Sequence, residues 1–386
     1  IHSAQRKISL VLGEVPAISD LHPSFGPGAA ATCSKYTTAR HKLSTPPSIS
    51  NSSTAIASQL AEGMYGWWAL HKSALVSPGR VEFVPKNYAT DRSIVVEPSL
   101  TGCYQRAVGS VLKQRLLRAG INLYDQSINR RRALAGSLSG VDACTIDLKS
   151  ASDTVAYGLV LELLPLPWFE LLDSLRSDVV VTPDGKTMRL SKFSSMGNGY
   201  TFELESLVFW ALAYGIAQHF SIPFDLTVFG DDLICNQQLA EKILEWFPKF
   251  GFTVNTDKSY LSGHFRESCG GDYWRGVDVR PFFLKGRMSF HQLTCWYNHL
   301  VRKPHMDPGC NLRSYLLSQI PPEYRIFGPD GYGDGHLIDD RPVSEYLKPY
   351  GRKKGWEGYV FETFAEVSFR HTDDVKGDEV LPSYQA

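Results

Sequence analysis

The chain has 386 residues, 43% of them hydrophobic, and its 40 basic and 40 acidic residues give a formal net charge of zero. These values exclude a disordered chain and fit two or three domains, or one large multi-lobed domain. Because bulk charge is zero, a nucleic-acid partner would have to be held by local charge asymmetry. Residues 81–132 supply such asymmetry, with nine basic and four acidic residues, although a solvated helix face has the same pattern.

Seven cysteines without a C-x-x-C pair favour a reducing cytosol over a disulfide framework or a zinc site. No apolar run has transmembrane length and no signal peptide is visible, so we expect no membrane partner. The chain opens with Ile1 instead of Met, and we expect a fragment or a processed product.

In chain order, residues 42–58 are rich in Ser, Thr and Pro and predict a loop or linker. Residues 99–120 predict a helix, with Gly120 as its stop signal. The β-branched alternation of 143–148 predicts a short strand. Asp153 then fits the N-cap of a helix over 154–164.

Residues 179–192 predict two strands joined at a Pro-Asp-Gly turn, and 194–199 (SSMGNG) predict an irregular loop. A Pro-free helix over 201–219 follows, then the segment VFGDDLICN, then a helix over 239–250. Strands and helices interleave without the repeat of a doubly wound sheet. This order predicts an α+β fold with helices packed on one face of a sheet.

The adjacent acids Asp231 and Asp232 stand in an apolar segment, where a strand normally excludes charge. If the flanking residues are paired strands, Gly230 allows the tight turn between them and both carboxylates lie at its tip. Such a pair is costly unless a cation such as Mg²⁺ neutralises it. Asp147 ends another apolar strand, and an antiparallel neighbour would place it beside the tip. Three carboxylates can hold two divalent ions about 4 Å apart, the arrangement that clamps a phosphoryl transfer.

Two further residues fit a bound ribonucleotide. Asp153 follows Asp147 by six residues, and Asn198 lies in the glycine-rich loop. A carboxylate and an amide beside the sugar could read its 2′-hydroxyl. The alternatives are a plain N-cap for Asp153 and a simple turn residue for Asn198.

The motif set, in its order and spacing, resembles the palm of viral RNA-dependent RNA polymerases. It is most similar to the replicase catalytic (beta) subunit of the positive-strand RNA bacteriophages, the levivirus family. The resemblance covers about Val81 to Gly335. It is carried by VPKNYATDRSIVVEP (84–98), NLYDQSINRRRA (122–133), TIDLKSASDT (145–154), SSMGNGYTFELESL (194–207), VFGDD (228–232), GFTVNTDKS (251–259), FRESCG (265–270), GVDVRPF (276–282) and DGYGDG (330–335).

The resemblance implies a right-hand fold of fingers, palm and thumb, with an antiparallel palm sheet backed by helices. The expected parts are an incomplete N-terminal segment (1–60), fingers (61–140), palm (141–165), a fingers insertion (166–193), palm again (194–285) and thumb with C-terminal region (286–386). The family subunit is longer than this chain at both ends.

The resemblance also implies roles for individual residues. Asp147, Asp231 and Asp232 would bind two Mg²⁺ ions, with Mn²⁺ as a substitute. Asp153 and Asn198 match the positions that check the ribose, and Ser195 and Gly197 match the loop that supports the nucleotide and the template. Lys86 and Arg92 match a basic segment that faces the triphosphate, as guanidinium forks suit phosphate oxygens. Lys258 matches a lysine proposed to protonate the leaving pyrophosphate, although a lone lysine after a helix is equally typical of a solvated surface.

The implied function is RNA-templated RNA synthesis from nucleoside triphosphates with release of pyrophosphate, in the cytoplasm of an infected bacterium. Expected partners are RNA template and product, nucleotides, and host elongation factors Tu and Ts. The alternatives are a reverse transcriptase, and a non-catalytic RNA-binding subunit with a polymerase-like fold. No GxxxxGK[ST] motif is present, which argues against a helicase or NTPase.

Overall fold

The computed structural model describes residues 1–33, 38–87, 89–284, 288–339, 348–349, 359–360 and 362–364. The chain divides into two compact units, Ile1–Asp278 and Val279–Ala386. No helix among the described residues is both long and apolar enough to cross a bilayer. All seven cysteines are free.

The α-helices of the first unit are α1 (His2–Leu12), α2 (Ala39–Ser44), α3 (Ala57–Gly63), α4 (Tyr65–His71), α5 (Ser99–Arg118), α6 (Ser127–Ser139), α7 (Ala151–Thr154), α8 (Tyr157–Leu163), α9 (Leu166–Ser174), α10 (Thr201–Phe220) and α11 (Gln237–Trp246). Its strands are β1 (Ser48–Ile49), β2 (Leu75–Val76), β3 (Gly79–Pro85), β4 (Asp91–Val96), β5 (Cys144–Ile146), β6 (Leu148–Lys149), β7 (Val179–Val181), β8 (Thr187–Arg189), β9 (Leu226–Phe229), β10 (Asp232–Cys235), β11 (Thr253–Val254), β12 (Phe265–Ser268), β13 (Gly271–Trp274) and β14 (Val277–Asp278). The second unit contains α12 (Phe290–Arg302), α13 (Asn311–Ser318), β15 (Phe327–Gly328), β16 (Leu337–Ile338), β17 (Lys348–Pro349) and β18 (Tyr359–Val360).

A three-stranded antiparallel sheet in the order β5-β10-β9 lies at the centre of the first unit. Ile146 of β5 pairs with Leu233 of β10, and Asp232 pairs with Phe229 across the β9–β10 hairpin. The predicted hairpin around Gly230 and the predicted antiparallel strand beside it are therefore confirmed.

Both faces of this sheet are covered, which corrects the expectation of helices on one face. Leu233 and Cys235 belong to the main core with α10 and α11, whereas Ile234 packs on Ala133 of α6 and on Tyr273 of β13. Alternate side chains of a strand point to opposite faces, so a continuous apolar run such as 233–235 needs cover on both.

A second sheet has the order β4-β3-β7-β8. Its β7–β8 hairpin turns at Pro183-Asp184-Gly185 as predicted, with the Gly185 amide donating to the Thr182 carbonyl at 2.8 Å. The long β3–β4 hairpin pairs Val84 with Arg92 and so brings Lys86 and Arg92 to one end of the sheet.

Residues 42–58 are not a linker. They include part of α2, the strand β1, a 3₁₀ helix over Asn51–Ile56 and the start of α3. Ser48 and Ser99 exchange hydrogen bonds between backbone amide and hydroxyl at 3.0 and 2.8 Å, and the Ser50 amide donates to Thr101 at 2.9 Å. Buried hydroxyl groups thus bond the backbone of this stretch to the start of α5, where a neighbouring strand could otherwise do so. Composition does not reveal this use of Ser and Thr.

The predicted helices over 99–120 and 201–219 are confirmed as α5 and α10, and Gly120 follows α5 with a φ of +90°.

The helix predicted over 154–164 is instead split into α7 and α8. The Val155 carbonyl accepts from Phe193 at 2.8 Å and Ala156 bridges Lys192, so the backbone there pairs with a neighbouring segment. Asp153 lies within α7 and not at an N-cap; Ser150, with a φ of +50°, precedes that helix. The helix predicted over 239–250 begins at Gln237 and ends as a 3₁₀ turn, Phe247–Phe250.

Candidate active site

The tip of the β9–β10 hairpin consists of Gly230 and Asp231 and is fixed to helix α10. Gly230 has a φ of +62°, and its amide donates to the Ser206 hydroxyl at 3.0 Å. A Cβ at Gly230 would lie 2.5 Å from the Phe202 ring, so only glycine allows this approach. The hairpin therefore holds Asp231 in a defined position.

Asp147 lies between β5 and β6, beside that tip, because β5 is the direct neighbour of β10. Its carboxylate accepts a 2.6 Å hydrogen bond from the Asn255 amide, and its backbone amide donates to the Ser259 hydroxyl at 3.1 Å. The segment after β11 thus holds Asp147 in place. Asn255 was missed as a site residue, although it stands in the GFTVNTDKS motif of residues 251–259.

A cleft of about 860 Å³ opens at this point. It brings together eight of the ten residues predicted from the sequence: Lys86, Arg92, Asp147, Asp153, Gly197, Asn198, Asp231 and Lys258. They come from the β3–β4 hairpin, the central sheet, α7, the glycine loop (residues 194–199) and the segment after β11. Residues far apart in sequence therefore share one concave surface, which is typical of a ligand site.

Asp232 and Ser195 do not line this cleft. Asp232 is the first residue of β10, whereas Asp231 belongs to the turn before it. The Asp232 carboxylate accepts from the Ser268 hydroxyl at 3.2 Å. Ser195 is buried; its carbonyl accepts from the Thr201 hydroxyl at 2.9 Å, and its own hydroxyl has no partner among the described residues.

The glycine loop packs directly on β4. The Val95 amide donates to the Met196 carbonyl at 2.8 Å. Gly197 has a φ of +104°, and a Cβ there would overlap the Val95 carbonyl oxygen. Asn198 is buried, and its side-chain oxygen accepts from the Tyr200 amide at 3.0 Å, while its Nδ2 has no hydrogen-bond partner in the described part of the chain. Asn198 therefore shapes the loop and also leaves one donor unused.

The remaining predicted residues differ in their contacts and exposure. Asp153 forms an ion pair with Lys192 at 2.5 Å. Lys86 and Arg92 are exposed, and both are near enough to Asp231 to lower its pKa. Lys258 ends a short 3₁₀ turn and is exposed at the cleft. The cations of the β3–β4 hairpin thus face the carboxylate of the β9–β10 tip.

Burial destabilises the charged forms of the acids at this site. Burial, followed by the charge of Asp147, raises the pKa of Asp231, against the opposing effect of Arg92 and Lys86. Burial likewise raises the pKa of Asp232 to about 6. The pKa of Glu205 rises to about 8, chiefly through burial and then through the neighbouring charge of Asp231.

Glu205 is a cleft residue that sequence reasoning missed. It lies on α10 one turn after Thr201, is 8% exposed, and its Oε2 has no hydrogen-bond partner among the described residues. A signal was present in the sequence, because Glu205 stands just before the apolar run of residues 207–213, and a glutamate is rarely buried without a reason. A buried carboxylate without a partner is costly, so its place beside Asp231 implicates it in the site.

The described residues contain no group of three or more His, Cys, Asp or Glu placed to hold one metal ion. Two carboxylates, Asp147 and Asp231, do face the cleft together. Mg²⁺ is commonly held by one or two carboxylates together with substrate phosphates, and not by a complete protein cage. The carboxylate oxygens of Asp147 and Asp231 therefore fit a divalent cation that arrives with a phosphate ligand.

Comparison with known proteins defines the family. The family model described as RNA replicase, beta-chain, matches residues 1–343, and the chain belongs to this family. It is 37% identical over 371 residues to the RNA-directed RNA polymerase subunit beta of Escherichia virus Qbeta, covering 93% of this chain and 62% of that protein. It is 44% identical over 286 residues to the RNA-directed RNA polymerase beta chain of Escherichia phage MS2, covering 72% of this chain and 52% of that protein. The resemblance inferred from the motifs is confirmed, and the chain spans roughly half to three fifths of these relatives.

Solved structures with similarity to the chain include two viral enzymes. The RNA-dependent RNA polymerase of a human picorbirnavirus aligns with a TM-score of 0.43 at 15% identity, over 62% of this chain and 55% of that one. The BmCPV RNA-dependent RNA polymerase at its elongation state aligns with a TM-score of 0.47 at 11% identity, over 92% of this chain and 35% of that one.

Proposed function

We propose that this chain carries the catalytic centre of an RNA-directed RNA polymerase, which copies an RNA template by nucleotidyl transfer from nucleoside triphosphates. The observation that carries the proposal is the cleft in which Asp147 and Asp231, at the ends of adjacent antiparallel strands, face Lys86 and Arg92. Membership of the replicase family supports the same reaction class. The β5-β10-β9 sheet would be the palm, and the β3–β4 hairpin part of the fingers.

The basic residues would hold the nucleotide. A triphosphate needs several fixed cations, and the Arg92 guanidinium can bind two phosphate oxygens at once. Lys86 adds a second charge from the same hairpin. Asn198 would offer its unused Nδ2 donor to the ribose, and Lys258 would deliver a proton to the departing pyrophosphate.

The acids would hold divalent cations, Asp147 and Asp231 from within the cleft and Asp232 from the neighbouring strand position. Bound Mg²⁺ would supply charge neutralisation for the phosphates and would lower the pKa of the attacking hydroxyl. In the proposed reaction the 3′-hydroxyl oxygen forms a bond to the α-phosphorus. The bond from that phosphorus to the pyrophosphate oxygen breaks, and the hydroxyl proton leaves with a base or water.

The test is primer extension on an RNA template with Mg²⁺, comparing the wild-type chain with Asp231→Asn. The variant should lose extension, because it lacks a cation ligand. Its melting temperature without Mg²⁺ should hold or rise slightly, since it removes a half-buried charge beside Asp147. Near-normal synthesis by Asp231→Asn would refute the assignment. Glu170→Gln, at an exposed helical position, is a matched control for loss of an acid.

A further inference from the structure

Helix α5 lies directly behind the glycine loop. A Cβ at Gly109 would overlap the Gly199 carbonyl oxygen, and a Cβ at Gly199 would lie 2.7 Å from the backbone nitrogen of Arg106. The two segments therefore touch backbone to backbone, through glycine on both sides. Arg106 is consequently separated from the active-site cleft only by the thickness of this loop.

A cavity of about 410 Å³ lies on the α5 side of the loop. Gly197 lines both this cavity and the active-site cleft, so the loop is a wall that the two spaces share. Three cations border the cavity. Lys42 is buried and donates to two carbonyls at 2.6 Å, and Arg80 is paired with Glu82 at 2.9 Å. Arg106 is exposed and forms no ion pair within the described ranges, so its charge is available to a ligand.

The exposed face of α5 continues this positive charge away from the loop. The helix contains four basic residues and no acidic one. From Arg106 the rise of about 1.5 Å per residue places Lys113 about 10 Å along the axis. The Lys113 ammonium lies 4.2 Å from the centroid of the Tyr124 ring, which is more than half exposed. An acid near these cations is Glu203 of α10, which is half-buried; burial raises its pKa, and Lys113 and Arg106 oppose that rise.

We propose that Arg106 and Lys113 of α5, together with Tyr124 from the segment after this helix, bind the sugar-phosphate backbone and a base of the RNA template strand as it passes the glycine loop. The inference rests on the proposed function. Cations spaced along a track with an exposed aromatic ring are the features by which proteins bind single-stranded nucleic acid. The template is the appropriate strand, because its unpaired bases must reach the nucleotide in the cleft, and the loop that α5 supports borders that cleft.

The experiment measures binding of the intact chain to a single-stranded RNA, without nucleotide or Mg²⁺, between 50 and about 200 mM salt. Each phosphate contact on a single strand contributes about 0.7 to the slope of log affinity against log salt. Arg106→Gln/Lys113→Gln should therefore reduce the slope by about 1.4 and the affinity at 0.1 M salt by roughly 25-fold. In extension assays the KM for template should rise while the KM for nucleotides stays constant.

The control is Arg6→Gln/Lys186→Gln, which removes the same charge from exposed positions elsewhere in the first unit and should leave the slope unchanged. Unaltered RNA affinity and slope in the Arg106→Gln/Lys113→Gln variant would overturn the inference. So would a parallel rise in nucleotide KM, which would place these cations in the cleft. Failure of the proposed function looks different, because the wild-type chain would then bind RNA and not extend a primer.

Discussion

Replacing Glu205 with glutamine should stabilise the protein at neutral and alkaline pH. The side chain is 8% exposed, with one oxygen lacking a partner among the described residues, and its pKa is raised from 4.5 to about 8. Each unit of pKa difference between the folded and unfolded states corresponds to about 1.36 kcal/mol. At pH 7 the Glu205 side chain is ionised in the unfolded chain, roughly 2.5 pH units above its pKa there, whereas it keeps its proton in the folded chain. The free energy of unfolding of the wild type is therefore about 3 kcal/mol lower at pH 7 than at low pH.

The direction of this pH dependence follows from proton binding. The folded state holds the proton more tightly, so the stability contributed by this group is fully present below pH 4.5 and is lost as pH rises toward 8. Above pH 8 the loss levels off at about 5 kcal/mol. Glu205→Gln is nearly isosteric with the protonated acid and removes this pH dependence.

The measurement is thermal unfolding with EDTA at intervals from pH 4.5 to 9. The variant and the wild type should have the same melting temperature at pH 4.5. At pH 7 the melting temperature of the variant should be higher by roughly 6 °C, because about 1 kcal/mol corresponds to about 2 °C for a unit of this size. Glu170→Gln, at an exposed position, should follow the wild-type curve throughout. A melting difference that does not grow with pH would refute the reasoning, because it would show that Glu205 is charged and compensated in the folded chain.

Two further predictions concern the nucleotide. Asn198→Ala and Asn198→Asp should each lower the preference for ribonucleotides over deoxyribonucleotides roughly fivefold, by losing a hydrogen bond worth about 1 kcal/mol. Both variants should also lose stability, the alanine variant because it no longer accepts from the Tyr200 amide and the aspartate variant because it buries a carboxylate; an unchanged incorporation ratio would mean that the 2′-hydroxyl is read elsewhere. Arg92→Ala should raise the KM of every nucleotide by a similar factor while RNA binding without nucleotide stays intact, since phosphate contacts carry no base information. Arg92→Lys should recover part of the loss, and a variant that loses RNA affinity at constant KM would place Arg92 on the template path.

The sequence determined the elements whose information is local. Helices α5 and α10, the β7–β8 turn and the β9–β10 hairpin follow from periodicity, from glycine and from the Pro-Asp-Gly signal. The motif order also identified the family. Where the prediction was wrong, a distant segment decided the outcome. Backbone pairing with residues 191–193 split the helix predicted over 154–164, and hydroxyls on α5 ordered the stretch predicted as a linker.

Only the tertiary structure decided which residues line the same cleft. Sequence adjacency suggested that Asp231 and Asp232 act side by side, but Asp231 lines the cleft, whereas Asp232 lies outside its lining and accepts from Ser268. Residues remote in sequence, Asn255 and Glu205, stand instead beside Asp147 and Asp231. Burial and unmet hydrogen bonds are properties of the packed chain, because they depend on every neighbouring segment at once. The sequence therefore specified the chemical groups of the site, and packing decided which of them share the cleft.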